Sequence, residues 1–304
     1  MGELFSTIWI ELPMAREDRN TILVENAAVV ANTEHAAGQH VIRISAPEVA
    51  ARAEPGQFIH IRCADSLPMR RPMSIMRVDP TNGFVDFLFK IHGAGSGLLA
   101  KVTTNDTVSV MGPIGKPFRR EKYRAHAVLI GGGVGIPPMI YLAEHMRQRT
   151  VKPIVFMGSE IPFPFTPKPS QLLVSGIPDE AIASMPLLED WGIPSRLATT
   201  QNFAGCFDGF VTQLADDWLS SQTEIDRNDI EIFACGPTPM LKAVVTVAQR
   251  HQIANQISLE EYMACAVGGC AGCTVLTETE GVQKMQRVCV DGPVFNGNDV
   301  IFQV

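Results

Sequence analysis

The chain has 304 residues, long enough for two or three domains rather than one small core. Hydrophobic residues make up 46% and charged residues 19%, an ordinary globular balance, and the net charge of −7 argues against a nucleic-acid partner, since phosphate binding needs a basic face. No apolar run reaches membrane-spanning length; the nearest, 127–143, carries four glycines and two prolines and reads as strand–loop–helix.

Residues 1–20 have mixed character and read as an N-terminal extension with no assignable role. Their start lacks the basic stretch of a secretory signal. Seven cysteines are an odd number for a disulfide framework, so the expected compartment is the reducing cytoplasm, with four thiols left for metal.

From about 21 to 120 the pattern is β. Short β-branched runs at 21–25, 40–44, 57–62, 84–91 and 107–111 are separated by the turn signals Glu54-Pro-Gly, Pro80-Thr-Asn-Gly and Met111-Gly-Pro. This predicts an antiparallel barrel of about six strands, with one short helix near residue 97. Arg71-Pro72-Met73-Ser74 lies between two of the runs. Arginine forks to phosphate oxygens and a serine hydroxyl can support a phosphate or flavin edge, although Arg-Pro is also a common turn. The 84–91 run leads into Gly93-Ala-Gly95-Ser96-Gly97, a turn that presents backbone amides to a pyrophosphate or is simply a glycine turn. Together the two motifs suit one elongated dinucleotide.

From 121 to 255 strands alternate with helices, the signature of a doubly wound parallel sheet. The apolar run 126–130 enters Gly131-Gly132-Gly133-Val134-Gly135, and a helix follows over 139–146; strands are predicted at 153–158 and 230–235 and a helix over 239–250. A glycine-rich turn between strand and helix points to a second dinucleotide. No acid ends the next strand, and Glu160 is the nearest, so NAD and NADP both stay open. Cys235-Gly236-Pro237 puts a small thiol at the sheet's ligand edge, where it could pack on a nicotinamide or serve as a buried small hydrophobe. The proline-rich stretch 161–169 reads as a loop; residues 172–175 and 195–199 read as possible strands.

The tail, 256–304, carries Cys265, Cys270 and Cys273 at C-x4-C-x2-C spacing, with Cys289 after fifteen further residues. That is plant-type ferredoxin spacing for a [2Fe–2S] cluster on four thiolates. Zinc is an alternative, though its ligands usually arrive as two close pairs, and unligated thiols are another. The histidines show no metal spacing and no Ser/His/Asp set is apparent, so no catalytic side chain is assigned. The ensemble reads as an electron conduit.

In this order the motifs, ending in Arg287-Val-Cys-Val-Asp-Gly-Pro-Val-Phe295, resemble the ferredoxin–NADP reductase superfamily and, within it, the electron-transfer subunits of two-protein dihydroorotate dehydrogenases, over about 21–304. The resemblance implies a multidomain β plus α/β fold: an FAD-binding barrel (21–120), an NAD(P)-binding domain (121–255) and a small [2Fe–2S] domain (256–304). It implies FAD contacts at Arg71, Pro72, Met73, Ser74, Leu88, Phe89, Lys90, Gly95 and Ser96, and NADH docking between Gly131–Gly135 and Cys235, Gly236 and Pro237. It further implies an FMN-containing catalytic partner in an assembly of two copies of each, serving pyrimidine synthesis. Diaphorase subunits of sulfide dehydrogenases, transhydrogenases, sulfite reductases or hydrogenases remain a second reading, and a zinc-stabilised nucleotide-binding module a third. Met73, Ser96 and Tyr262 depart from the residues usual in these relatives.

Overall fold

In the computed structural model, which describes residues 22–119, 123–147 and 149–302, the N-terminal strands close into a barrel. The extension at 1–20 lies outside the described residues. The strands are β1 (Leu23–His35), β2 (Gln39–Ser45), β3 (Phe58–Arg62), β4 (Arg71–Asp79), β5 (Phe84–Lys90) and β6 (Thr107–Ile114), in spatial order β1-β2-β5-β4-β3-β6, all antiparallel. Two short helices lie between them, α1 (Pro47–Arg52) and α2 (Ala94–Leu99). Alternation drives the closure. Ile42 and Ile44 of β2, Ile59 and Ile61 of β3, Ile75 of β4 and Phe87 of β5 fill the interior. Each such side chain contributes about 1.5–3 kcal/mol on burial.

One expectation changes here. Arg71–Ser74 does not lie between strands; it is the first half of β4, with Ser74 opposite Phe58 and Pro72 opposite His60. Arg-Pro reads as a turn, yet proline is tolerated where a strand begins.

The second sheet has seven strands in the order β12-β11-β8-β7-β13-β14-β17. Its members are β7 (His126–Gly132), β8 (Lys152–Gly158), β11 (Ser195–Thr199), β12 (Phe207–Asp208), β13 (Ile230–Cys235), β14 (Ala254–Ser258) and β17 (Val294–Asn296). Neighbouring pairs are parallel except β14–β17. The central β7 and β13 are buried on both faces and mostly apolar, as strands covered by helices on both sides must be, with the buried Glu231 of β13 accepting from Gln256 Nε2 at 2.9 Å. Helices α3 (Ile136–Met146), α5 (Val211–Ser221) and α6 (Thr238–His251) cover them.

Between β8 and β11 the proline-rich segment leads to β9 (Lys168–Pro169), β10 (Ala183–Ser184) and α4 (Pro186–Asp190). It is docked rather than loose: Phe163 is buried and the Pro162 carbonyl accepts from Gln39 Nε2 at 2.7 Å. Residues 172–175 form no strand. Leu173 is fully exposed, and the Leu172 carbonyl and amide bond to the Arg196 and Glu189 side chains rather than to a strand backbone, whereas 195–199 does form β11.

The tail contributes a hairpin, β15 (Thr274–Thr279) and β16 (Val282–Arg287), and then returns through β17 to the edge of the large sheet. One apolar core runs through all three parts. It joins Phe58 and Ile114 of the barrel, Ile232 and Ile257 of the sheet, and Cys273, Val288, Cys289 and Phe295 of the tail. No helix among the described residues is long and apolar enough to cross a membrane.

Candidate functional site

The two barrel motifs meet in space. Arg71, at the start of β4, donates from Nη1 to the carbonyls of Met69 (3.0 Å) and Arg70 (3.1 Å), which turns its guanidinium over the first turn of α2. A methyl group at Gly95 would lie 3.2 Å from Arg71 Nε. Ser96 Oγ accepts from the His92 amide at 2.6 Å and donates to the Gly93 carbonyl at 3.3 Å, so the hydroxyl closes the turn. The amides at the start of α2 lie beside Arg71 without intrahelical partners, the type of donor that can bind an anion.

Strand alternation sorts the remaining barrel candidates. Phe89 and Met73 face the barrel core, where Phe89 stacks on His40 with ring centroids 5.5 Å apart. Leu88 faces outward, Lys90 is exposed, and Pro72 and Ser74 are half-buried.

The nucleotide motifs also converge. β7 ends in the Gly133–Gly135 turn, and α3 follows with Pro137 and Pro138 in its first turn. The space a side chain at Gly135 would need is filled by the backbone of Cys235 and Gly236. Gly132 and Gly236 both pack against Met240, and Pro237 caps α6. The glycine turn also lies against β5. Close by, an apolar cavity of about 200 Å³ runs between Met76 and Leu88 of the barrel, Ile136 and Ile140 of α3, and Phe165 of the proline-rich segment.

Cys235 is fully buried, and burial together with the neighbouring Glu260 carboxylate pushes its thiol well above the ordinary range. Its Sγ donates to Glu260 Oε1 at 3.9 Å. Glu260 presents part of its surface to solvent, but its carboxyl end turns inward over the sheet edge, and burial raises its pKa. Glu260 is a site residue that sequence reasoning missed. The parallel pairing of β13 with β14, Cys235 opposite Ser258, carries it there. Glu160, just beyond β8, accepts from the Thr200 hydroxyl and from Gln201 Nε2 (3.2 Å) at the end of β11. The Thr200 bond is the main reason its carboxyl is held below the usual range.

The barrel and the nucleotide domain are locked together at α3. Arg77 of β4 forks onto Glu144 (2.6 Å) and lies over the Trp191 ring, 5.1 Å from its centroid, while Arg147 also stacks on Trp191. Tyr141 Oη donates to the Ala53 carbonyl at 2.7 Å. Because α3 begins at the glycine turn and packs on the strand bearing Arg71–Ser74, these contacts fix the two dinucleotide motifs relative to each other.

In the tail the four thiols come together: Cys265 lies beside Cys270, and Cys289 lies beside Cys273 with Cys265 also close enough to act on it. No set of three or more metal-binding side chains converges on a single ion site among the described residues. Three thiols in one glycine-rich loop and a fourth brought to them from the far end of β16 suit a two-iron cluster, the set that plant-type ferredoxin spacing provides. Burial opposes ionisation of Cys265, but amides of Val267, Cys270 and Gly269 and the Cys270 thiol hold it at about 7. Burial and its proximity to Cys273 push Cys289 up to about 12. Cys273 and Cys289 are buried, while Cys270 is exposed near Val267; Tyr262, on the approach to this loop, is 89% exposed.

Comparison with known proteins agrees with this geometry. The family model described as the oxidoreductase FAD-binding domain matches residues 23–118, and that of the iron–sulfur cluster binding domain of dihydroorotate dehydrogenase B matches residues 260–301. The barrel, the sheet and the gathered thiols therefore define a flavin and iron–sulfur oxidoreductase. The dihydroorotate dehydrogenase B (NAD(+)) electron transfer subunit of Shouchella clausii is 31% identical over 277 residues, covering 90% of this chain and 96% of that one. Its namesake from Streptococcus pneumoniae is 31% identical over 283 residues, covering 92% and 99%. The chain belongs to the family of dihydroorotate dehydrogenase B electron transfer subunits. Its fold is also that of an NADH-dependent reduced ferredoxin-NADP oxidoreductase involved in flavin-based electron bifurcation, with TM-score 0.74 and 24% identity over 91% of this chain and 90% of the other.

Proposed function

We propose that this chain draws electrons from NADH and delivers them, through FAD and a [2Fe–2S] cluster, to an FMN-containing dihydroorotate dehydrogenase catalytic subunit. The assembly holds two copies of each chain and serves pyrimidine synthesis in the cytoplasm. Residues 21–120 form the FAD domain, 121–255 the nucleotide domain and 256–304 the cluster domain. The observation that carries this reading is the shared core: Cys273 and Cys289 belong to the same continuous apolar core as Phe58 and Ile114 of the barrel, so the cluster ligands are joined to the flavin domain through packed side chains.

When bound, FAD accepts a hydride and releases electrons singly, and the cluster carries one electron at a time. The chain's own residues supply position. Arg71 and the amides around Gly95 and Ser96 hold the flavin pyrophosphate, with Lys90 within reach of it. Pro72, Ser74 and Leu88 flank the outer face of β4 and β5, and Met73 and Phe89 stiffen these strands from inside the barrel. Gly131, Gly132, Gly133 and Gly135 allow the NADH pyrophosphate to approach the backbone, while Cys235, Gly236 and Pro237, with Glu260, bound the nicotinamide end.

Glu160 selects NADH over NADPH. An acid at this edge accepts the ribose 2′-hydroxyl and repels a 2′-phosphate, and Thr200 and Gln201 keep this one ionised and fixed. The thiolates of Cys265, Cys270, Cys273 and Cys289 bind the cluster, and exposed Cys270 marks the side from which electrons leave.

The test is reconstitution with the catalytic subunit. Protein with bound FAD should show an EPR-active cluster on NADH reduction and support NADH-driven reduction of orotate. Protein that binds zinc and no iron, or that reduces no orotate with its partner, sinks the reading.

A further inference from the structure

We infer that Arg287 is the positioning residue of the cluster site, clamping the loop that carries Cys265, Cys270 and Cys273 to the segment that carries Cys289. This rests on the [2Fe–2S] reading above and adds a residue that is itself no ligand. Arg287 ends β16, and its side chain reaches in two directions. Nη1 donates to the Gly268 carbonyl at 3.2 Å, inside the three-cysteine loop. Nε and the backbone amide donate to Asp291 Oδ2 at 3.3 and 2.9 Å, just past Cys289.

Both ends of the clamp are themselves held. Gly268 sits at φ +81, where a side chain would be strained and would strike Val290. On the other side, the Arg287 carbonyl accepts the amides of Val290 (3.1 Å) and Asp291 (2.7 Å), winding a tight turn around Cys289. That turn docks on the barrel: the Lys116 amide donates to the Gly292 carbonyl, and Pro293 packs on Gly115. From there the chain enters β17 and the large sheet. The barrel, the Asp291 turn, Arg287 and Gly268 therefore form one continuous chain of contacts between the flavin domain and the cluster loop.

An exposed i,i+4 ion pair contributes little by itself. The contact to Gly268 is what gives this pair a purpose, and only a forked guanidinium reaches a carbonyl and a carboxylate together. Arg287 also brings a fixed positive charge to a site where four thiolates concentrate negative charge. Charge and hydrogen bonding near the sulfurs set cluster potential, so the cation favours the reduced form.

The test is EPR-monitored redox titration and chelator-driven iron release on FAD-loaded protein, comparing wild type, Arg287→Gln and Arg287→Lys. In Arg287→Gln the reduction equilibrium constant should fall about tenfold, a downward shift of about 59 mV for a one-electron couple, and iron should be lost about tenfold faster. Arg287→Lys, which keeps the charge and loses the fork, should hold a near-wild-type potential yet still lose iron faster. If Arg287→Gln fails to retain iron, Asp291→Asn takes its place, with faster iron release expected and a wild-type rate overturning the clamp. Potential and release rate unchanged in Arg287→Gln overturn the inference while leaving the cluster reading intact. A wild-type protein with no EPR signal after reduction overturns the cluster reading, and this inference with it.

Discussion

The Arg71 guanidinium packs against Gly95, so the start of a β-strand and the first turn of a helix form one surface, the proposed pyrophosphate site. Neither residue makes that surface alone. Hydrogen bonds to charged groups contribute about 1.5–3 kcal/mol each, so Arg71→Ala should weaken FAD binding by about 10–100-fold. Gly95→Val, which pushes the guanidinium aside, should weaken it in the same direction. Flavin content after dialysis and titration of the apoprotein with FAD measure both. Full FAD occupancy in both variants would place the pyrophosphate elsewhere.

Under the proposed function Glu160 sets the coenzyme preference. Glu160→Ala should raise KM for NADH about tenfold, the effect of losing one hydrogen bond of about 1.4 kcal/mol, with little change in kcat. Its NADH/NADPH ratio of kcat/KM should fall, because the repulsion of a 2′-phosphate is gone. Steady-state reduction of a dye by each coenzyme decides the matter; an unchanged ratio would remove Glu160 from the ribose site.

His60 gives the fold an acid limit. It is 1% exposed, neither ring nitrogen has a hydrogen-bond partner, and burial beside Arg70 lowers its pKa from 6.5 to about 4. The unfolded chain takes up a proton below pH 6.5 that the folded chain refuses until about 4. Stability from this residue is therefore complete above 6.5 and is lost as pH falls toward 4, in total on the order of 3 kcal/mol. The Tm of His60→Leu should depend less on pH between about 5 and about 7.5 than that of wild type. Parallel Tm–pH curves for the two proteins would contradict this.

Legibility in the sequence followed distance along the chain. The cysteine spacing and the Gly131–Gly135 turn are local patterns: the turn links β7 to α3 as its context predicts, and the family model for the iron–sulfur domain matches the segment that carries the cysteines. Arg71–Ser74 was not legible as a strand, because Arg-Pro imitates a turn and the pairing with β3 that overrides it comes from elsewhere in the chain. Residues 172–175 have strand-like composition but form no strand, and Leu172 bonds to side chains rather than to a strand backbone. Glu260 and Arg287 were not legible as site residues. The first reaches Cys235 only through the pairing of β13 with β14, and the second acts through a carbonyl in another loop.

Cys235 and Glu260 share a contact at the sheet edge, and both are held toward their neutral forms. Glu260→Gln keeps the shape and removes the titrating carboxyl. It should slow NADH reduction of FAD by about 100-fold, the low end of what a positioned proton-handling side chain contributes, while FAD content stays at the wild-type level. Stopped-flow reduction by NADH reads this directly; a wild-type rate would confine Glu260 to packing.

The most direct measurement uses Cys273→Ser in complex with the catalytic subunit, following flavin reduction and orotate reduction in the same NADH experiment. The expected result is that NADH still reduces FAD while orotate reduction is abolished, because electrons leave the flavin only through the thiol-bound cluster. Orotate reduction at the wild-type rate without an intact cluster, or equal loss of both activities in protein that still binds FAD, would contradict the order NADH, FAD, cluster, partner.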